Sequence, residues 1–165
     1  MADPLQQMYQ QVILDHARAK HGAGQIDPFD GESFQVNPTC GDQVTLRVRI
    51  DHSAGAPRVA EVGWQGEGCS ISQASLSVLT DLVTGKDIPT VDHLNETFRE
   101  LMHGRGKELE PAKSDELEDA TAFVGVAQFP ARIKCALLGW MALRDALAHA
   151  LTAEPTPDAT TKETA

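Results

Sequence analysis

The sequence predicts an α+β fold in which a three-stranded antiparallel β-sheet carries several α-helices on one face. Three runs with strand character, at residues 33–37, 44–51 and 60–64, follow one another with short turns between them. Short turns join antiparallel neighbours, because parallel strands need a longer crossover. Apolar residues at helical spacing dominate before and after these runs. We therefore expect a single domain over residues 1–152.

The strand prediction depends on strict alternation in the second run. Its apolar and polar residues take turns, which is typical of a strand buried on one face. The third run is interpreted in the same way, with Ala60 on the inner face. The residues expected to be buried are Val44, Leu46, Val48, Ile50, Val62 and Trp64.

Helices are predicted on both sides of the strands. Asp3-Pro4 is typical of a helix start, and Ser70 with Gln73 matches a capping box that opens a helix ending at Gly85. Further helices are expected at 91–104, at 117–124 after a charged loop, and from Pro130 onward. In the last helix, the side chains expected on the inner face are Ile133, Leu137, Trp140, Met141, Leu147 and Leu151. The tail, 153–165, is rich in Thr and Pro, and we expect it to be disordered.

Charge and cysteine content exclude several classes of protein. The net charge of −10 argues against nucleic acid or an anionic membrane as a partner. No apolar run approaches the length of a membrane span, and the N-terminus lacks the pattern of a signal peptide. Three cysteines cannot form a closed disulfide framework. We therefore expect reduced thiols and a cytoplasmic location.

The three cysteines are candidates for one site. In a meander, the loop between the first two strands lies at the same end of the sheet as the exit of the third strand. Cys40 and Asp42 lie in that loop, and Cys69 follows that exit. Cys135 joins them if the start of the last helix packs over the same edge. Thiolates with a carboxylate suit zinc or an iron–sulfur unit, although a lone buried cysteine is more often a small apolar residue.

Competing chemistries have weaker support. The six histidines, at 16, 21, 52, 93, 103 and 149, show no hydrolase signature, and we interpret them as solvated or helix-face residues. A thioredoxin-type protein would show Cys-x-x-Cys, which is absent. A purely structural zinc module remains open, although an aspartate ligand is unusual in such closed sites.

The motifs "YQQVILDH", "NPTCGD", "GEGCSISQAS" and "FPARIKCALLGWMAL" resemble the SufU group of the IscU/NifU-type family of iron–sulfur cluster assembly proteins. The resemblance runs from about Gln7 to about Ala148. It implies a metal site of Cys40, Asp42, Cys69 and Cys135. Lys134 stands where scaffold members have histidine, the proline-rich chaperone motif is missing, and an extra segment separates the last two cysteines. These departures favour SufU over a standard scaffold.

The resemblance also implies a function. SufU proteins act as zinc-dependent sulfur acceptors for a SufS-type cysteine desulfurase, and the sulfur passes on to downstream Suf cluster-assembly proteins. In the implied mechanism a group from the desulfurase displaces one thiolate from zinc, and that cysteine accepts the sulfur. Cys40, on a short loop, is the expected acceptor, and Arg132 is a candidate to stabilise its thiolate. The alternative is a scaffold that assembles a transient iron–sulfur cluster on the same residues.

Overall fold

The computed structural model describes residues 4–39 and 41–152 of the 165-residue chain. The elements, in chain order, are α1 (Pro4–Ala19), β1 (Gly31–Asn37), β2 (Asp42–Asp51), β3 (Arg58–Glu67), α2 (Ser70–Val83), α3 (Ile88–Met102), α4 (Pro111–Leu117), a 3₁₀ helix (Glu118–Gln128) and α5 (Pro130–Thr152). The start signal at Asp3 and the tail at 153–165 lie outside the described residues.

The three strands form one antiparallel sheet in the order β1-β2-β3. The predicted α+β meander is confirmed. The inner face of the sheet is apolar because alternate strand residues point to one side. All six side chains predicted to be buried there are at most 8% exposed: Val44, Leu46, Val48, Ile50, Val62 and Trp64.

The prediction for Ala60 is wrong, and a bulge explains why. Arg49 pairs with Glu61, but the next residue, Ile50, pairs with Val59. Ala60 is therefore an extra residue in β3, which shifts the alternation by one position. Val59 is buried in its place, whereas Ala60 is exposed.

α5 lies across β1 and β2, and α2 packs between α5 and β3. α5 approaches β1 closely, since a Cβ on Gly31 would lie 2.0 Å from the carbonyl oxygen of Ala146. Beyond these helices, Phe98 of α3 stacks on Trp140 of α5 with ring centroids 4.8 Å apart. These contacts cover the inner face of the sheet with one continuous apolar core.

Three helix predictions need correction. Met141 and Leu151 of α5 are 55% and 42% exposed. Met141 lies on the outward face of the helix with the exposed residues Lys134 and Ala148, and Leu151 lies in its last turn. α2 begins with Cys69 as its N-cap, so Ser70 is the first helical residue and forms no capping box. The predicted charged loop contains α4, which starts at Pro111 because proline suits the first turn of a helix.

Within residues 4–39 and 41–152, no helix combines the length and the apolar character needed to cross a bilayer.

Candidate metal centre

One end of the sheet brings two distant residues together. Asp42 is the first residue of β2, and Cys69 follows β3 and caps α2. The backbone N–H of Cys69 donates to Oδ1 of Asp42 at 3.1 Å, and Sγ of Cys69 lies 3.8 Å from Oδ2. Because Cys69 has no side-chain cap of its own, the carboxylate from β2 satisfies one of the unpaired N–H groups at the start of α2.

Gly68 makes this approach possible. A Cβ at that position would lie 2.5 Å from Oδ1 of Asp42 and 2.4 Å from the hydroxyl of Ser72. Any larger residue would displace the carboxylate or the first turn of α2. Gly68 therefore leaves the space that the carboxylate of Asp42 occupies. Sequence reasoning did not identify this role of the glycine.

Cys135 reaches the same place from α5. The hydroxyl of Ser75 in α2 donates to the carbonyl oxygen of Ala136 at 2.6 Å, which holds the two helices in contact. Cys135 is 4% exposed. One ligand atom from each of Asp42, Cys69 and Cys135 lies within 4.8 Å of the other two. The topology thus places these three predicted site residues in one cluster, which we call the metal centre.

Cys40 lies outside the described residues. Its described neighbours belong to the turn between β1 and β2. Gly41, with φ of 76°, donates its N–H to the carbonyl oxygen of Asn37 at 2.8 Å. The N–H of Thr39 donates to the side-chain oxygen of Asn37 at 3.2 Å.

The charge of Asp42 has no basic partner among the described residues. Asp42 is 1% exposed, and no Lys, Arg or His in the described part of the chain forms an ion pair with it. A buried carboxylate without a counter-charge is strongly destabilising unless a cation or a proton compensates it. Two thiols and a carboxylate are suitable donors for zinc or iron. The donor set therefore fits a bound metal ion.

Arg132 lies one turn before Cys135 on α5 and is exposed. Its guanidinium carbon lies 5.1 Å from the ring centroid of Phe129, as in a cation–π contact. The proposed role of Arg132 toward a thiolate stays a prediction. Lys134, at the position where scaffold members have histidine, is also exposed.

A groove of about 510 Å³ is lined by residues of α1, among them Tyr9, and by residues of the 3₁₀ helix. Its lining also includes Ser70, Ile71 and Arg132, which are close in sequence to Cys69 and Cys135. Burial raises the pKa of the Tyr9 hydroxyl, and the negative charge of Glu108 adds to this effect.

His16 is a helix-face residue, as expected, but it lies on the inner face of α1, where it is 7% exposed and contacts α2 and the 3₁₀ helix. Its ring nitrogens contact the hydroxyl of Ser77 at 2.8 Å and the carboxylate of Asp119 at 2.9 Å. The signal was in the sequence. His16 continues the helical spacing of Tyr9, Val12 and Ile13, which marks the inner stripe of α1.

Fold and metal centre together define an α+β domain with a thiol–carboxylate site at one end of a small sheet. The sequence model of the NifU-like N terminal domain matches residues 8–148. The chain therefore belongs to the family of NifU-like N-terminal domains.

Two relatives are similar over most of their length. The chain is 40% identical over 147 residues to the zinc-dependent sulfurtransferase SufU of Bacillus subtilis (strain 168), covering 87% of this chain and 92% of that protein. It is 36% identical over 159 residues to the iron-sulfur cluster assembly scaffold protein IscU of Streptococcus pyogenes serotype M1, covering 96% and 94%.

A solved structure agrees with the fold. The putative iron-sulfur cluster assembly scaffold protein for the SUF system from Fervidobacterium islandicum AW-1 superposes with a TM-score of 0.74 at 30% identity, covering 86% of this chain and 97% of that chain.

Proposed function

We propose that this protein is an iron–sulfur cluster assembly protein that accepts sulfur from a SufS-type cysteine desulfurase in a zinc-dependent manner. The observation that carries the proposal is the buried carboxylate of Asp42, which lies with two thiols and has no basic partner among the described residues. Similarity to a relative named as a zinc-dependent sulfurtransferase supports the same conclusion.

The metal ligands in this proposal are Asp42, Cys69, Cys135 and, from its position in the sequence, Cys40. Zinc bound there would hold its cysteine ligands as thiolates and protect them from oxidation. The described ligands come from β2, the N-cap of α2 and the inside of α5. Binding should therefore contribute to the stability of the fold, because an unfolded chain does not hold these groups together.

Cys40 is the proposed sulfur acceptor, because the other two cysteines are tied to structured backbone. Cys69 is the N-cap of α2, and its N–H is held by Asp42. Cys135 lies inside α5, where its Sγ is 3.7 Å from the carbonyl oxygen of Ala131. Cys40 instead stands between Thr39 and Gly41 in the short β1–β2 connection, where glycine allows the backbone to change direction at low cost.

The transfer is a thiol–persulfide exchange. The thiolate of Cys40 attacks the outer sulfur of the desulfurase persulfide, and a new sulfur–sulfur bond forms on Cys40. The old sulfur–sulfur bond breaks, and its electron pair leaves with the desulfurase cysteine as a thiolate. No external oxidant or reductant is needed. Arg132, one turn from Cys135, would add positive charge near the reacting thiolate.

The sulfur would then pass to downstream Suf cluster-assembly proteins. We place the reaction in the cytoplasm, because a reducing compartment keeps the three thiols available.

The test is to incubate Cys40→Ala with a matched SufS-type desulfurase and free cysteine. We expect no added sulfur by intact-protein mass spectrometry and no stimulation of cysteine turnover. Thr39→Ala, an exposed neighbour in the same turn, is the control and should behave as the wild type. Normal sulfur loading of Cys40→Ala would show that another residue is the acceptor.

A scaffold for a transient iron–sulfur cluster is the second candidate, favoured by the relative named as a scaffold. Lys134 weakens it, because lysine does not supply the ligand that histidine would. Metal analysis and the absorbance spectrum of freshly purified protein separate the two. Colourless protein with zinc supports the sulfur acceptor, whereas a coloured protein with iron and labile sulfide supports the scaffold.

A further inference from the structure

We propose that His16, His21 and Asp81 form a second site, which binds a divalent transition-metal ion. One ligand atom from each of these residues lies within 4.8 Å of the other two. We call these three residues the histidine cluster. It shares no residue with the metal centre and does not depend on the proposed function.

The cluster is assembled by packing of α1 on α2. His16 lies in the last turn of α1, His21 follows the end of that helix, and Asp81 lies in α2. Nδ1 of His21 is 2.6 Å from Oδ2 of Asp81. The two imidazole rings meet edge to face, with centroids 5.3 Å apart. Two nitrogen donors and one oxygen donor therefore converge without any change of backbone.

Neighbouring side chains hold His16 in orientation. Its Nδ1 contacts the hydroxyl of Ser77, and its Nε2 contacts the carboxylate of Asp119. An ion would replace one of these two contacts, and the other would keep the ring in place, as an outer hydrogen bond does for most metal-bound histidines. The hydroxyl of Ser77 also accepts the backbone N–H of His21 at 3.0 Å, so it retains a partner.

Charge favours a cation at this place. The carboxylates of Asp81 and Asp119 lie beside the two imidazoles, and within the described residues neither forms an ion pair with Lys or Arg. The net charge of the chain, −10, acts in the same direction. A bound cation would supply a positive charge to carboxylates that otherwise contact histidine side chains.

The donors define the class of ion. Imidazole nitrogen with carboxylate oxygen suits Zn²⁺, Co²⁺ or Ni²⁺, whereas Ca²⁺ and Mg²⁺ prefer oxygen alone. The side chains of His21 and Asp81 are 48% and 51% exposed, so an ion can enter from solvent and complete its coordination with water. The ion would link the last turn of α1 to the last turn of α2.

The two sites are far enough apart to be measured separately. Asp81 lies twelve residues after Cys69 along α2. At a rise of 1.5 Å per residue, this corresponds to about 18 Å along the helix axis. The sites also differ in chemistry, since the histidine cluster contains no sulfur.

The experiment is a Co²⁺ titration of the full chain after loading with one equivalent of zinc. Co²⁺ on thiolates gives intense near-ultraviolet charge-transfer bands, whereas Co²⁺ on nitrogen and oxygen gives only weak visible bands. We expect the wild type to bind one further ion with weak visible bands alone. His21→Ala and Asp81→Asn should each weaken this binding by at least about tenfold. His52→Ala, which removes an exposed histidine from the β2–β3 turn, should bind as the wild type does.

Two results would overturn the proposal. One is a zinc-loaded wild type that takes up no further Co²⁺ in large excess. The other is unchanged uptake by both His21→Ala and Asp81→Asn. Thermal unfolding is measured as a check that each variant is folded, and we expect both to be folded because both side chains are half exposed. Failure of the metal centre would appear separately, as thiolate charge-transfer bands during the same titration.

Discussion

Asp42 at the start of β2 accepts the backbone N–H of Cys69 at 3.1 Å, across 27 residues of sequence. This hydrogen bond joins the sheet to the start of α2. It also places the carboxylate of Asp42 3.8 Å from the thiol of Cys69. The carboxylate is buried, and its charge is unmatched by any basic residue in the described part of the chain. Removing the charge of Asp42 therefore tests its role in metal binding.

Asp42→Asn keeps the size of the side chain and removes its charge. We expect zinc affinity to fall by at least about tenfold, because even outer-shell substitutions at metal sites have effects of that size. In EDTA, the variant should be as stable as the wild type or more stable, because a buried unpaired charge has been removed. Zinc competition and thermal unfolding with and without EDTA measure the two effects.

Asp92→Asn, on the exposed face of α3, is the matched control and should change neither quantity. Wild-type zinc affinity in Asp42→Asn would remove Asp42 from the ligand set.

Gly68→Ala tests the close approach at the metal centre. The added Cβ would lie 2.5 Å from Oδ1 of Asp42, so the carboxylate has to move. We expect weaker zinc binding and a lower melting temperature. Gly125→Ala has open space around its Cβ and should leave both unchanged. Equal zinc affinity in the two variants would show that the site tolerates displacement of Asp42.

Phe98→Ala tests the core behind the sheet. Phe98 is fully buried, stacks on Trp140 and meets Phe123 edge to face. The free energy of unfolding should fall by about 3–5 kcal/mol, the usual cost of truncating a buried phenylalanine. Urea unfolding in EDTA measures it without a contribution from metal. Phe34→Ala, at a site 59% exposed, should change stability by about 0.5 kcal/mol or less.

The cap of α3 should make a small part of the stability depend on pH. Hydrogen bonds from Thr90, first from its side chain and then from its backbone, lower the pKa of Asp87 below 3.8. A carboxyl group with a lowered folded-state pKa stabilises fully above its unfolded value, and this contribution is lost as pH falls through the folded-state pKa.

Asp87→Asn keeps a residue that caps helices but cannot ionise. We expect the wild type to have the higher urea midpoint in EDTA at neutral pH, and the difference to shrink as pH falls below 3.8. Asp92→Asn should show no such trend. A difference between wild type and Asp87→Asn that stays constant with pH would contradict the assignment.

Local pattern was sufficient where the physical cause is local. Strand alternation from Val44 to Ile50 identified the buried face of β2, because side chains in a strand alternate regardless of what covers them. Short connections determined the antiparallel order, and with it the end of the sheet at which Asp42 and Cys69 meet. The sequence alone therefore predicted that Asp42 and Cys69 lie at one end of the sheet, whereas it left the position of Cys135 open.

Tertiary structure alone decided the features that depend on a distant partner. The bulge opposite Ile50 reversed the expectation for Ala60, because it arises from pairing between strands. The N-cap of α2 is Cys69 rather than Ser70, and its backbone N–H is bound by Asp42 from another strand. The arrival of Cys135 at the metal centre and the meeting of His16 with His21 and Asp81 depend on how α1, α2 and α5 pack. The spacing of residues within one helix does not show how that helix packs on another, because the stabilising contacts join residues that are far apart in the sequence.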